Sequence, residues 1–176
     1  MLTLLWMLHA CAATLRVYDG ALTQRTLQLA ATAAASRGHD FTSVLDRTRH
    51  PMGRTVLEAL VCSLLRELGD DAPYAEVWVR NHHKAMGVHR DVDEVLCRAS
   101  RRAGGFGEQV CPDHGHVCCL AVAPGLAAPT CVWTEEPRDA SEPLGPPRAL
   151  SSLEVVPAVA GRLLRFGGDA LHAVPR

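Results

Sequence analysis

The 176-residue chain carries almost no net charge: 18 Lys and Arg against 19 Asp and Glu leave −1 at pH 7. Binding a phosphate backbone takes a concentrated basic surface, so composition gives no case for a nucleic-acid partner. There is no apolar run long enough to span a bilayer. Basic residues are missing from the N-terminus as well, with none before Arg16. The stretch from Met1 to Ala13 is apolar enough for a short secretory segment ending at Ala10, Cys11 and Ala12, but without a positive start it reads first as an ordinary buried segment. The sequence leaves the compartment open: cytoplasmic, or the secretory pathway if that stretch is a signal. Internal repeats are absent, and so is a disulfide framework. The seven cysteines (Cys11, Cys62, Cys97, Cys111, Cys118, Cys119 and Cys131) are odd in number and have no framework spacing, so at least one stays unpaired within the monomer. Most lie in apolar runs, where a thiol behaves as a small buried hydrophobe.

What is present is apolar material, 48% of residues, enough for one domain with a real core. In the first half, Leu15 to Tyr18 reads as a short strand closed by Asp19 and Gly20. Thr23 to Ser36 reads as an Ala-rich helix stopping at Arg37 and Gly38. A stronger helix is expected from Thr55 to Leu68, where Val56, Leu57, Leu60, Val61, Leu64, Leu65 and Leu68 recur at helical spacing. Gly69 is its stop, and Arg54 and Glu58 lie outside the stripe. The second half changes period. Ala75 to Arg80, Val117 to Val122, Pro129 to Trp133, Leu153 to Val156 and Gly161 to Phe166 are short apolar runs separated by Pro and Gly, and they read as strands. The segment from Glu135 to Arg148 holds Glu, Asp, Ser and four prolines and reads as an exposed insertion. Arg98, Arg101 and Arg102 read as a solvated basic loop rather than a phosphate site.

The chemistry is concentrated in His89, Arg90 and Asp91, and in His172 near the end of the chain. Residues two apart on a strand share a face, so His89 and Asp91 could hold one metal together while His172 arrives from a neighbouring strand. Two imidazoles and one carboxylate form the facial set of non-haem iron sites, which leaves coordination positions open for a co-substrate and O2. With nine His and ten Asp in the chain, one His-x-Asp pair arises by chance about half the time, so its surroundings must carry the reading.

Those surroundings are Glu76-x-Trp78, His89-x-Asp91-x-Asp93-Glu94, Ala128-Pro129-Thr130, and the run from Gly161 through Leu163, Leu164, Phe166, Gly168 and Asp169 to His172. In this order they resemble the Fe(II)/2-oxoglutarate-dependent oxygenase superfamily, closest to its prolyl 4-hydroxylase-like branch, over residues 74 to 176. The resemblance implies a mainly β fold with some helix: a double-stranded β-helix, or jelly-roll barrel of the cupin kind, buttressed by N-terminal helices. Residues 1–176 would form a single domain, with 1–70 as the helical buttress and 74–176 as the barrel core. His89, Asp91 and His172 would bind Fe(II), with 2-oxoglutarate and O2 as co-substrates and ascorbate as a further cofactor that the branch admits. The implied activity is that of an oxidoreductase, a dioxygenase hydroxylating a C–H bond of a protein, peptide or small-molecule substrate with release of succinate and CO2.

One departure from the family matters. A basic residue about ten positions past the second histidine usually pairs with the distal carboxylate of 2-oxoglutarate, whereas here the sequence stops at Arg176. The anchor would be Arg176, or come from Arg162 or Arg165 on the preceding strand, or belong to a longer chain. Without it, a catalytically impaired barrel serving as a metal-binding or protein-binding module is the alternative. Two other dense groups compete less well. Cys111, His114, His116 and Cys118 match no common zinc spacing, and His82 and His83, being adjacent, would face opposite ways on a strand. Asp93 and Glu94 are better read as solvated than as extra ligands.

Overall fold

The computed structural model describes residues 15–37, 41–80, 84–93, 97–99, 102, 111–134 and 153–175. The N-terminal stretch, His82 and His83, Glu94, Arg101, the 135–148 insertion and Arg176 lie outside the described residues. The fold is mainly β, with every strand pair antiparallel. In chain order its elements are β1 (Arg16–Tyr18), α1 (Gln24–Ala35), β2 (Phe41–Asp46), α2 (Val56–Glu67), β3 (Tyr74–Val79), β4 (Met86–His89), β5 (His114–Cys118), β6 (Thr130–Trp133), β7 (Leu153–Val156), β8 (Leu163–Gly167) and β9 (His172–Val174). They form a three-stranded sheet β1-β8-β5, a four-stranded sheet β4-β9-β6-β7 and a two-stranded ribbon β2-β3. Among the described residues, no helix is long and apolar enough to cross a membrane.

The two larger sheets share a core. Phe166 of β8, 2% exposed, packs with Val132 of β6, 0% exposed, and with Ala170, flanked by Leu15 and Val117. The helices cover the ribbon instead, where Ala30 and Ala34 of α1 and Leu57 of α2 meet Val79 of β3, with Phe41 alongside. Both helices start at a threonine whose side-chain oxygen accepts an orphan backbone N–H: Thr23 from Thr26 at 3.2 Å, and Thr55 from Glu58 at 3.2 Å. α2 ends as its sequence predicts. Gly69, at φ +66°, supplies the left-handed turn, and the N–H groups of Asp70 and Gly69 close onto the carbonyls of Leu65 and Arg66 at 2.8 and 3.1 Å.

Two expectations are corrected, and one strand is unforeseen. Besides the short strand expected at Leu15 to Tyr18, which is β1 and joins β8, the first half holds a second strand, β2, which joins β3. The strand at Phe41–Asp46 escapes a hydrophobic reading because Ser43 lies on the inward face beside Phe41 and Leu45, there to donate to Glu58 Oε1 at 3.1 Å. Glu58, expected outside the apolar stripe, is 4% exposed. It is tolerated because Arg54 Nη2 approaches Oε1 at 2.6 Å and the Arg54 N–H donates to Oε2 at 2.8 Å. Hydrogen bonding by Arg54 is the main reason its carboxyl is pulled down to about 2. The strand expected at Val117 to Val122 lies instead at His114–Cys118, with Cys119 and Leu120 already past its end.

The Schellman turn after α2 turns Asp70 inward, where it is 8% exposed. Its Oδ2 faces His114 Nδ1 at 3.3 Å, Arg165 Nη2 at 3.6 Å and His116 Nε2 at 3.9 Å. Oδ1 accepts the Ala72 N–H at 3.1 Å and lies 3.9 Å from Arg47 Nη1. This knot ties the end of α2 to β5 and β8. Burial is the main cause that lowers His116 to about 4; Asp70 opposes it, while Arg165 and His114 add to it. In the unfolded chain the same imidazole titrates near ~6.5, so between the two values the unfolded state binds more protons and stability falls as pH falls. In urea denaturation, the stability difference between wild type and His116→Gln is expected to move against wild type from about pH 6.5 down to about pH 4 and to level off below. A pH-independent difference would contradict this.

Candidate metal centre

β4 pairs with β9, and the register sets His89 directly opposite His172 and Met86 opposite Val174. Three steps along β4 match two along β9, so β4 carries one extra residue, a β-bulge at Gly87 and Val88. A bulge re-aims the side chains beyond it. Here it brings both ends of β4 to half-buried positions while Gly87 and Val88 face solvent. The two imidazoles consequently lie against each other, with ring centroids 4.2 Å apart.

Asp91 is not on the strand. β4 ends at His89, so the carboxylate reaches the histidines from the segment that follows rather than by two-residue alternation. Its Oδ1 lies 3.8 Å from His89 Nε2 and its Oδ2 lies 3.7 Å from His172 Nε2. One ligand atom from each of the three residues falls within 4.8 Å of the others, and among the described residues no other group of His, Cys, Asp and Glu converges in this way.

Hydrogen bonds settle which ring nitrogens face the centre. His89 Nδ1 lies 2.8 Å from the Gly87 carbonyl, and His172 Nδ1 lies 3.1 Å from the Ala170 carbonyl. A carbonyl only accepts, so each Nδ1 carries a proton, and in the neutral ring this leaves the Nε2 lone pair directed at the centre. Outer hydrogen bonds of this kind orient metal-binding histidines. His172 is 5% exposed, with the Phe166 ring 5.0 Å from its own. The side chains of His89 and Asp91 are 33% and 26% exposed, which leaves one side of the group open to solvent.

Glycines make the surroundings possible at two places. Gly115 stands opposite Phe166 in the β5–β8 register, and a Cβ there would run into the Phe166 ring. Gly168, in the turn before His172, has its N–H on the Asp113 carbonyl at 3.1 Å, and a Cβ there would strike the Pro112 carbonyl.

The expected co-substrate anchors have other partners. Arg162 donates from Nε and Nη2 to Asp19 at 2.6 and 3.0 Å and from Nη1 to the Pro157 carbonyl at 2.8 Å. Arg165 adjoins Phe166, whose ring packs on the histidine side, so alternation turns the guanidinium to the opposite face of β8. There it meets the Leu68 carbonyl at 3.1 Å and the knot around Asp70. His114 and His116 likewise belong to that knot and not to a cysteine site with Cys111 and Cys118. Burial pushes the Cys118 thiol up to about 11, and among the described residues these cysteines and histidines form no converging ligand group.

No family model matches the chain, and no curated protein matches it. Among solved structures, the crystal structure of HygX from Streptomyces hygroscopicus with iron bound aligns over 94% of this chain and 77% of that chain, at 13% identity and a TM-score of 0.48. A likeness that remote carries no argument here. The centre rests on its own residues.

The tight turn before His172 yields a test. Gly168→Ala is expected to lower Tm by more than Gly20→Ala, whose position has open space and only the left-handed backbone to disfavour a side chain, at about 1 kcal/mol. Thermal melts showing equal or smaller loss for Gly168→Ala would contradict the close packing described.

Proposed function

We propose that this chain is an Fe(II)- and 2-oxoglutarate-dependent dioxygenase that hydroxylates a C–H bond of a protein or peptide substrate, in a single domain built as a double-stranded β-helix. The observation that carries the reading is the convergence of two Nε2 lone pairs and one carboxylate within 4.8 Å, contributed by β4, the segment after it and β9. Two antiparallel sheets sharing a core, with the triad beside that core, support the fold. The donor set fits the metal: neutral imidazoles and a carboxylate suit divalent iron, and a site with three protein ligands leaves positions for a bidentate 2-oxo acid and O2.

In this reading His89 and His172 hold the metal through Nε2, with Nδ1 protons fixed on the Gly87 and Ala170 carbonyls, and Asp91 supplies the anionic ligand. Iron held there would supply the oxidising chemistry that couples decarboxylation of 2-oxoglutarate to hydroxylation, with ascorbate available to restore the ferrous state. The chain's own contribution is placement. Phe166 and the buried flank of His172 keep water from one side, while the half-exposed side at His89 and Asp91 admits co-substrate and the target group. Arg176 is the anchor proposed for the distal carboxylate, by charge-assisted pairing.

A second reading, a barrel that binds metal or a protein without turnover, is favoured by one observation: Arg162 and Arg165 are committed to Asp19 and to Asp70, not to the centre. Anaerobic titration with Fe(II), with and without 2-oxoglutarate, separates the two. A weak visible charge-transfer band that needs both components and disappears in His172→Ala is the expected result. Iron binding without the band would favour the second reading, and a folded protein that takes up no iron would sink both metal readings.

A further inference from the structure

We infer that Arg90, the residue between the two ligands His89 and Asp91, is a positioning residue that fastens the Asp91 arm to the turn delivering His172. The inference rests on the metal reading above and concerns how this chain keeps the centre assembled.

The two arms of the centre are unequally held. The β9 arm is fixed by several backbone bonds. The Trp133 N–H donates to the Leu171 carbonyl at 2.9 Å, the Ala170 N–H to the Gly167 carbonyl at 3.0 Å, and the Gly168 N–H to the Asp113 carbonyl at 3.1 Å. The other arm is less constrained. β4 pairs with β9 at only two register points, and its ladder stops at His89, so sheet pairing does not fix Asp91. Across a separation of 79 residues, Arg90 Nε donates to the Asp169 carbonyl at 2.7 Å. That carbonyl is one residue before Ala170, whose own carbonyl fixes the His172 ring. A single side chain thus joins the freer arm to the firmer one, adjacent to a ligand on each side. A short bond from a charged donor is among the stronger hydrogen bonds, and outer contacts that hold metal ligands in place typically contribute about 10- to 100-fold in metal affinity.

Electrostatics alone makes the opposite forecast. A guanidinium beside a divalent cation repels it, so its removal would tighten metal binding if Arg90 acted only through charge. Positioning requires removal to weaken binding. Co(II), used as the probe and followed by its visible d–d bands, is expected to bind Arg90→Met about 10- to 100-fold more weakly than wild type. Arg90→Lys, which keeps the charge and one donor, should recover part of the loss, with the metal-free Tm of both variants near wild type. Cobalt binding by Arg90→Met as tight as wild type, or tighter, overturns the inference. A metal-free readout keeps it separable from the metal reading: amide hydrogen exchange in peptides covering residues 90–93 should quicken in Arg90→Met without cobalt, and unchanged exchange also overturns it. If wild type binds no cobalt, the metal reading fails and the exchange result alone decides the role of Arg90.

Discussion

Everything at the candidate centre depends on one cross-strand pairing, β4 against β9, with His89 opposite His172. Directly opposed residues on antiparallel strands bring their Cβ atoms to about 5 Å, close enough for two imidazoles to share a metal without any loop having to fold over. The pairing alone would not suffice. The bulge at Gly87 and Val88 chooses which β4 side chain meets His172, and the carbonyls of Gly87 and Ala170 choose which nitrogen each ring presents. Sheet geometry therefore sets position and local hydrogen bonding sets chemistry. Only the carboxylate lies outside the ladder, and its placement falls to the segment that continues past β4.

The strongly periodic parts of the chain were the legible ones. α1 follows from its Ala-rich run and its stop at Arg37 and Gly38, α2 from its apolar spacing and the Gly69 stop, and β6, β7 and β8 from short apolar runs bounded by Pro and Gly. The three candidate ligands are legible by residue type and order, but the reason they meet differs from the reason spacing offers, since Asp91 does not sit on β4. Periodicity failed where polar groups face inward. Ser43 interrupts the apolar face of β2 because Glu58 needs a donor, and Glu58 hides among helix residues because Arg54 accompanies it. Neither partner can be read from either residue alone, since each buried polar group is explained only by another brought close in the fold.

The same logic accounts for the knot around Asp70. His114 and His116, two apart on β5, share one face, and Arg165 stands opposite His116 on β8 and faces the same way. The alternate face carries Gly115 and Phe166, which lead to the core and to His172. One pair of strands thus separates two polar systems: a charged clasp beneath α2 on one side, and the aromatic wall of the candidate centre on the other. His114 and His116 lie near cysteines in a spacing that matches no common zinc pattern, and strand alternation sends them to a carboxylate contributed by the end of a helix.

The most direct measurement is anomalous diffraction from crystals of this protein soaked with Mn(II), an O2-stable stand-in for Fe(II) that takes the same oxygen and nitrogen ligands. A single strong peak between His89 Nε2, the Asp91 carboxylate and His172 Nε2 is the expected result. A peak beside Asp70, His114 and His116 instead, or none at the three residues in well-ordered crystals, would contradict the assignment of this group as the metal centre.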